Sequence, residues 1–142
     1  MKRMDEADIW NKRLLTVDPE NKEAYYTLGV IAWTNAYKPV MEARTELGMK
    51  PDEPGPLKAE EIRRELSARH QTVLQDGLDN LKQALDIDPE YDDAMAYVNL
   101  LWRLKADLED SAEKHSADIA EADKWFQKCL ETRKTKASRK PQ

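Results

Sequence analysis

Two stretches decide the fold: residues 17–25 read Val-Asp-Pro-Glu-Asn-Lys-Glu-Ala-Tyr, and residues 87–95 read Ile-Asp-Pro-Glu-Tyr-Asp-Asp-Ala-Met. Each has an apolar residue, then Asp-Pro-Glu, then polar residues, then an alanine that opens an apolar periodic segment. Proline cannot continue the preceding helix, and the acidic residues after it suit the positively polarised start of the next one. The sequence therefore predicts two tight helix–turn–helix junctions in an all-α fold.

The composition agrees with a helical chain. Among 142 residues only 4 are glycine, and 36% are charged, which is typical of solvated helix faces. The length suits a single domain. The formal net charge of −5 argues against a general affinity for nucleic acid, although residues 133–140 carry five positive charges and no acid.

The segments around the two junctions also correspond to each other. After the junctions, residues at matching helical offsets are Tyr25, Leu28, Gly29 and Ala32 in one segment and Met95, Val98, Asn99 and Trp102 in the other. Small and large residues alternate on the segments that we assign to second helices, namely Gly77, Leu81 and Ala84, and then Ala122, Phe126 and Cys129. This pattern resembles the tetratricopeptide repeat, in which small residues let two helices approach and large ones fill the gap.

The resemblance implies an antiparallel helix–turn–helix array, which is a fragment of an α-solenoid. Pro19 and Pro89 are 70 positions apart, so the first full repeat has an insertion of 36 residues relative to the 34-residue period. The second has about 11 extra residues. We expect one domain over 1–134 with a flexible basic tail over 135–142; the units are a half repeat 1–19, a repeat 22–89 and a repeat 92–132.

Periodicity and breaker residues predict the individual elements. The long stripe over 57–87 contains no proline and predicts one unusually long helix of roughly 45 Å. Pro39 predicts that a new short helix begins there and that Gly48 ends it. The other predicted elements are helices over about 5–17, 22–37, 91–108 and 111–134, the last capped by Asp110 or Ser111, and a loop over 48–56.

In tetratricopeptide arrays the first helix of each repeat lines a concave groove. Carried onto this sequence, the resemblance gives Tyr26, Val30, Trp33, Tyr97, Leu100 and Arg103 as peptide-binding residues. These positions are more apolar than a solvated helix face requires, as is typical of interface hot spots. We therefore expect a non-catalytic scaffold that binds a peptide or helix of another protein. Glu23 and Asp93 stand where chaperone-tail binders have basic or amide residues, so basic or neutral ligands are favoured.

Two alternatives concern the insertion. In the first alternative, the insertion folds back over the groove and buries the groove residues. In the second, residues 38–73 form a homodimer surface, and the chain is a self-assembly module. The apolar residues expected to be displayed for that surface are Met41, Leu47, Met49, Ile62 and Leu66.

No catalytic constellation, cofactor site or metal site is indicated. His70 and His115 are far apart in sequence and are interpreted as surface residues. The acidic residues over 86–93 lack the glycine and glutamate positions of a calcium loop, and are interpreted as a repeat turn. Cys129 has no neighbouring histidine in sequence and occupies a small-residue packing position, so we expect a buried structural thiol.

The compartment is not determined by the sequence. A single cysteine excludes an intrachain disulfide, and no apolar run reaches the length of a membrane span, which predicts a soluble chain. A cytoplasmic location is the default. Because the chain starts in mid-repeat, an exported form that has lost an upstream signal is the alternative.

Overall fold

The computed structural model describes residues 2–139, and every regular element in that range is an α-helix. The helices are α1 (Lys2–Val17), α2 (Lys22–Glu46), α3 (Glu60–Ile87), α4 (Asp92–Asp107) and α5 (Ala112–Arg139). Within that range, no helix combines the length and the apolar character that crossing a bilayer requires. The prediction of an all-α chain is confirmed.

The two Asp-Pro-Glu junctions have the same geometry. The amide of Asp18 donates to the carbonyl of Leu14 at 2.8 Å, and the amide of Asp88 donates to the carbonyl of Ala84 at 2.9 Å. Each hydrogen bond closes the last turn of a helix, and the next helix begins four residues after that Asp. The predicted tight junctions are confirmed.

Helices α2 and α3 approach closely because glycines lie at two contact points. A Cβ on Gly29 would meet the Leu81 side chain at 2.5 Å, and a Cβ on Gly77 would meet the Cβ of Ala32 at 2.6 Å. The contact advances along α2 while it moves backwards along α3, so the two helices are antiparallel. Leu81 is fully buried between them.

Helices α4 and α5 form a second antiparallel pair. Thr132 Oγ1 lies 3.6 Å from Met95 Sδ, and Arg103 Nη2 donates to Asp123 Oδ1 at 2.7 Å. A later residue of α4 therefore contacts an earlier residue of α5. Ser111 caps α5, because its Oγ accepts a hydrogen bond from the amide of Lys114 at 3.1 Å.

The core lies between α2, α3 and α4, and the segment 47–59 between α2 and α3 closes it at one end. We call this segment the connection. Its residues Met49 and Leu57 belong to the core, and Leu57 is fully buried. Helix α1 packs on α2 alone among the described helices.

The predicted helix break at Pro39 is wrong. Helix α2 continues through Pro39 to Glu46. Proline removes one backbone hydrogen bond, to the carbonyl of residue 35, which lies on the exposed side of the helix. Burial of Ala36, Val40 and Ala43 on the opposite side compensates for this loss.

The predicted tail also begins too early. Helix α5 continues to Arg139, and residues 140–142 lie outside the described part of the chain. Lys136 Nζ donates to Asp92 Oδ1 at 2.6 Å and Arg139 Nη1 contacts Glu90 Oε2 at 2.8 Å, so these charges hold the last turns against the start of α4. The stripe predicted to form one long helix does so as α3, which has 28 residues, and α5 is equally long.

Candidate functional site

The candidate groove lies where α2 and α4 run side by side. Contacts at the start, middle and end of α2 fall in the same order along the 88–107 region. They are Lys22–Asp88 at 2.7 Å, Trp33–Tyr97 at 5.9 Å between ring centroids, and Arg44–Asp107 at 2.7 Å. Since residue numbers rise together on both sides, α2 and α4 point in the same direction.

Five aromatic rings form a continuous row across this seam, which we call the aromatic row. Tyr26 packs on Tyr91 at 5.2 Å and meets Tyr97 edge-on at 5.7 Å. Trp33 meets Tyr97 edge-on at 5.9 Å and packs on Tyr37 at 4.6 Å. Tyr37 is 37% exposed, and the other four rings are half-buried. Edge-on and tilted contacts suit the ring quadrupoles, so the row is a rigid apolar platform with accessible ring surface.

Burial and nearby carboxylates raise the pKa values of two tyrosines of the row. Burial, and after it the negative charge of Glu23, raises the pKa of Tyr91 to about 12. Burial likewise raises the pKa of Tyr26, and the charge of Asp93 adds to that effect. At neutral pH both phenols are uncharged hydrogen-bond donors. The charged groups beside them are the carboxylates of Glu23 and Asp93 and the ammonium of Lys22, which lies 5.1 Å from the Tyr91 ring centroid.

The aromatic row leads into a cavity of about 530 Å³, which we call the end pocket. Its walls come from α2, the connection, α4 and the first turns of α5. Most of the lining is apolar, from Trp33, Tyr37, Met41, Leu100, Leu104 and Ile119. The volume is within the range of about 300–1,000 Å³ that is usual for ligand pockets.

A buried ion pair fixes the connection at this pocket. Arg44 Nε and Nη2 donate to the two carboxylate oxygens of Asp107 at 2.8 and 2.7 Å, and Arg44 Nη1 donates to the carbonyls of Lys50 and Glu53. The amide of Leu57 donates to the Asp107 carbonyl at 3.0 Å. One arginine thus joins α2, the connection and α4, which preorganises the pocket.

The six residues assigned to the groove from the repeat register lie on α2 and α4, and their surroundings differ. Tyr26, Trp33 and Tyr97 form the centre of the aromatic row. Leu100 and Arg103 line the end pocket with Trp33. Arg103 is tied to α5 through Asp123, and the half-buried Val30 lies between Tyr26 and Trp33 in the helical register.

Two Asp-Pro-Glu junctions and two antiparallel helix pairs recur in the same order along the described part of the chain. No family model, curated protein or solved structure matches it. Function is therefore inferred from the residues of the chain itself.

Several residues of the site were not predicted from the sequence. Tyr91 and Tyr37 complete the aromatic row, while His115 and Ile119 line the end pocket. Tyr37 lies four positions after Trp33, a spacing that places both on one helix face and that was available in the sequence. Tyr91 stands at the position where Asn21 caps α2, but its own side chain makes no capping hydrogen bond and packs on Tyr26 instead.

The insertion covers one end of the groove rather than all of it. Loop residues 51–55 line the end pocket, whereas the cavity does not extend to Tyr26, Val30 or Tyr97. Two residues expected on a dimer surface, Met49 and Leu66, are buried in the core. The other three, Met41, Leu47 and Ile62, pack against that core because the insertion has to cover it.

The histidines are less exposed than predicted. His115 is half-buried at the end pocket, close to the backbone of Gly55. His70 is half-buried on α3, and its burial, with the charge of Arg69, lowers its pKa. Within residues 2–139 no cluster of three metal-ligating side chains is found, and neither histidine has such a neighbourhood.

Cys129 is buried, as its packing position predicts. Burial raises the pKa of the thiol, and its Sγ lies 3.4 Å from the carbonyl of Asp92, to which it donates. A protonated, packed thiol is a poor nucleophile.

Proposed function

We propose that this chain is a tetratricopeptide-type scaffold that binds a peptide or helix of another protein across the α2–α4 face. Two antiparallel helix pairs support this proposal, because their first helices lie side by side and point in the same direction. In such arrays the first helices line the ligand groove. No catalytic role is included, since the thiol of Cys129 is packed and protonated.

The aromatic row is the observation that carries the proposal. Trp and Tyr side chains that are partly open and held by rigid neighbours are the residues that contribute most to protein interfaces. Here five such rings are contiguous, and they lie on one seam instead of being scattered over the surface. They offer a large apolar area that loses little conformational entropy when a ligand covers it.

Selection from a displayed random peptide library tests the proposal. We expect the selected peptides to lose about thirtyfold or more in affinity on Trp33→Ala, corresponding to about 2 kcal/mol for a central interface aromatic. Trp10→Ala is the matched control, because Trp10 is 67% exposed on α1, away from the row. Peptides that bind Trp33→Ala as tightly as the wild type, but lose affinity on Trp10→Ala, would place the ligand surface on α1.

A further inference from the structure

The end pocket is a feature that the insertion adds to the repeat. The connection crosses the end of the α2–α4 seam, and residues 51–55 form one wall of the cavity. A Cβ on Gly55 would clash with Oδ1 of Asp107, so the loop backbone lies directly against α4. The groove is therefore open along the aromatic row and closed at the connection. A ligand that follows the row meets a wall at this end.

The chemistry of the pocket selects an apolar side chain. Its strongest charges are already satisfied, because Arg44 is paired with Asp107 and Arg103 is paired with Asp123. Glu53 is held by Lys58 at 2.7 Å. Apart from Asp52 and the imidazole of His115, what remains is mainly the apolar wall from α2, α4 and Ile119. A large aliphatic or aromatic side chain would cover this wall without leaving a buried charge unpaired.

Three carboxylates, which we call the rim, lie along the groove and favour a basic ligand: Glu23, Asp93 and Asp52. Glu23 and Asp93 lie close enough to the tyrosines to raise the pKa values of Tyr91 and Tyr26, and Asp52 lies at the mouth of the end pocket. Within the described residues, Glu23 and Asp52 form no ion pair shorter than 4.0 Å, and both are exposed. Among the same described residues, Asp93 has one ion-pair partner, Arg133, which also contacts Asp92. Lys22 lies over the Tyr91 ring, 5.1 Å from its centroid, but it is paired with Asp88, so carboxylates remain in excess beside the row and favour a cationic segment.

We propose that the end pocket takes a large apolar anchor residue of a basic peptide segment, whose Lys or Arg side chains face the carboxylates of the rim. The inference rests on the proposed function, since it assumes that ligands follow the aromatic row. It adds the partner class: a cationic segment with a bulky apolar residue among its basic residues. The connection, which is absent from an uninterrupted repeat, determines this specificity.

Three synthetic hexapeptides test the inference on the whole chain by methyl and aromatic NMR. The first is acetyl-Lys-Lys-Trp-Leu-Lys-Lys-amide; the second replaces Trp-Leu by Gly-Ser, and the third replaces every Lys by Glu. We expect the first to shift the methyl signals of Ile119 and Leu100 together with the ring signals of Tyr97. The second should leave the pocket methyls unmoved, and the third should bind at least tenfold more weakly at low salt.

A pocket-filling variant gives a second readout. Ile119→Trp should weaken the first peptide at least tenfold, since the indole occupies the space of the anchor. Leu130→Trp is the matched control on the same helix, because Leu130 is 44% exposed and does not line the pocket. Thermal melts establish that both variants fold. If Ile119→Trp does not fold, Ile119→Ala replaces it, and removal of part of the apolar wall should weaken the first peptide severalfold.

The outcomes separate the anchor site from the groove. If the Tyr97 signals shift but the pocket methyls do not, the groove is retained and the anchor site is rejected. If neither moves while library peptides still depend on Trp33, the anchor site is again rejected. If neither moves and library binding is independent of Trp33, both proposals fail. Equal or tighter binding of the glutamate peptide would overturn the assignment of a basic partner.

Discussion

The ion pair between Arg44 and Asp107 is the contact whose loss we expect to cost most. Its side chains are only 8% and 7% exposed, and the guanidinium meets the carboxylate through two hydrogen bonds. Replacing Asp107 with Ala leaves a buried cation without its counterion, whereas the two loop carbonyls that Arg44 also contacts carry no charge. Removing one partner of such a pair destabilises proteins by about 3–5 kcal/mol.

We therefore expect Asp107→Ala to lower the free energy of unfolding by about 3–5 kcal/mol. For a domain of this length, the melting temperature should fall by about 10–15 °C. Urea denaturation followed by circular dichroism measures the first quantity, and a thermal scan measures the second. Asp110→Ala is the matched control, since that carboxylate is 74% exposed beside Lys114, and its midpoint should stay within error of the wild type.

A double variant separates the buried charge from the loss of packing. Arg44→Met with Asp107→Leu removes both charges and restores apolar volume, so it should be more stable than Asp107→Ala alone. Our reasoning would be refuted if Asp107→Ala cost less than about 1 kcal/mol, the range of a solvated surface pair. It would also be refuted if the double variant lost as much unfolding free energy as the single variants Arg44→Met and Asp107→Leu lose in total.

Three further predictions follow from the packing and the titrating groups. Gly77→Ala should destabilise the chain by about 1–3 kcal/mol in urea, despite the better helix propensity of alanine, because its Cβ would meet that of Ala32 at 2.6 Å. Cys129 should react with a thiol reagent far more slowly in the native state than in denaturant; equal rates would show that it is not packed. Burial, and then the neighbouring Glu109 carboxyl, raises the pKa of the Asp118 carboxyl to about 7, so the folded chain binds a proton that the unfolded chain releases. Stability should consequently fall as pH rises from about 4 to about 7, and Asp118→Asn should flatten that dependence in melts across the range.

Local features of the fold could be predicted from the sequence. The junctions depend on proline and on the residues next to it, and both formed the expected turns. The five main helices follow from apolar periodicity, which reflects one buried face. Cys129 was placed correctly because a small residue in a repeat register marks a close helix contact. In each case the information lies within a few turns of the chain.

The errors come from contacts that are distant in sequence. Pro39 predicts a helix break because the local sequence does not show that other helices bury Val40 and its neighbours, and this burial keeps the helix continuous. The basic residues at 133–140 predict a tail because the local sequence does not show that Lys136 pairs with Asp92 at the start of α4. The Arg44–Asp107 pair joins positions 63 apart in sequence, and no local pattern distinguishes that arginine from the exposed ones.

Contacts that are distant in sequence also explain why the helix faces of the groove could be predicted, whereas the end pocket could not. The positions of Tyr26, Trp33 and Tyr97 follow from the repeat register, which fixes the faces of α2 and α4. The end pocket depends on the connection, whose course is set by one buried ion pair and by burial of Met49 and Leu57. An array with only two helix pairs exposes much of its core at the ends, so a segment that covers the core is favoured. That segment necessarily lies at the end of the groove, because α2 and α4 border both the core and the groove. Under the proposed function, stability and ligand selection both depend on the connection, so substitutions at Arg44 or Asp107 should affect both.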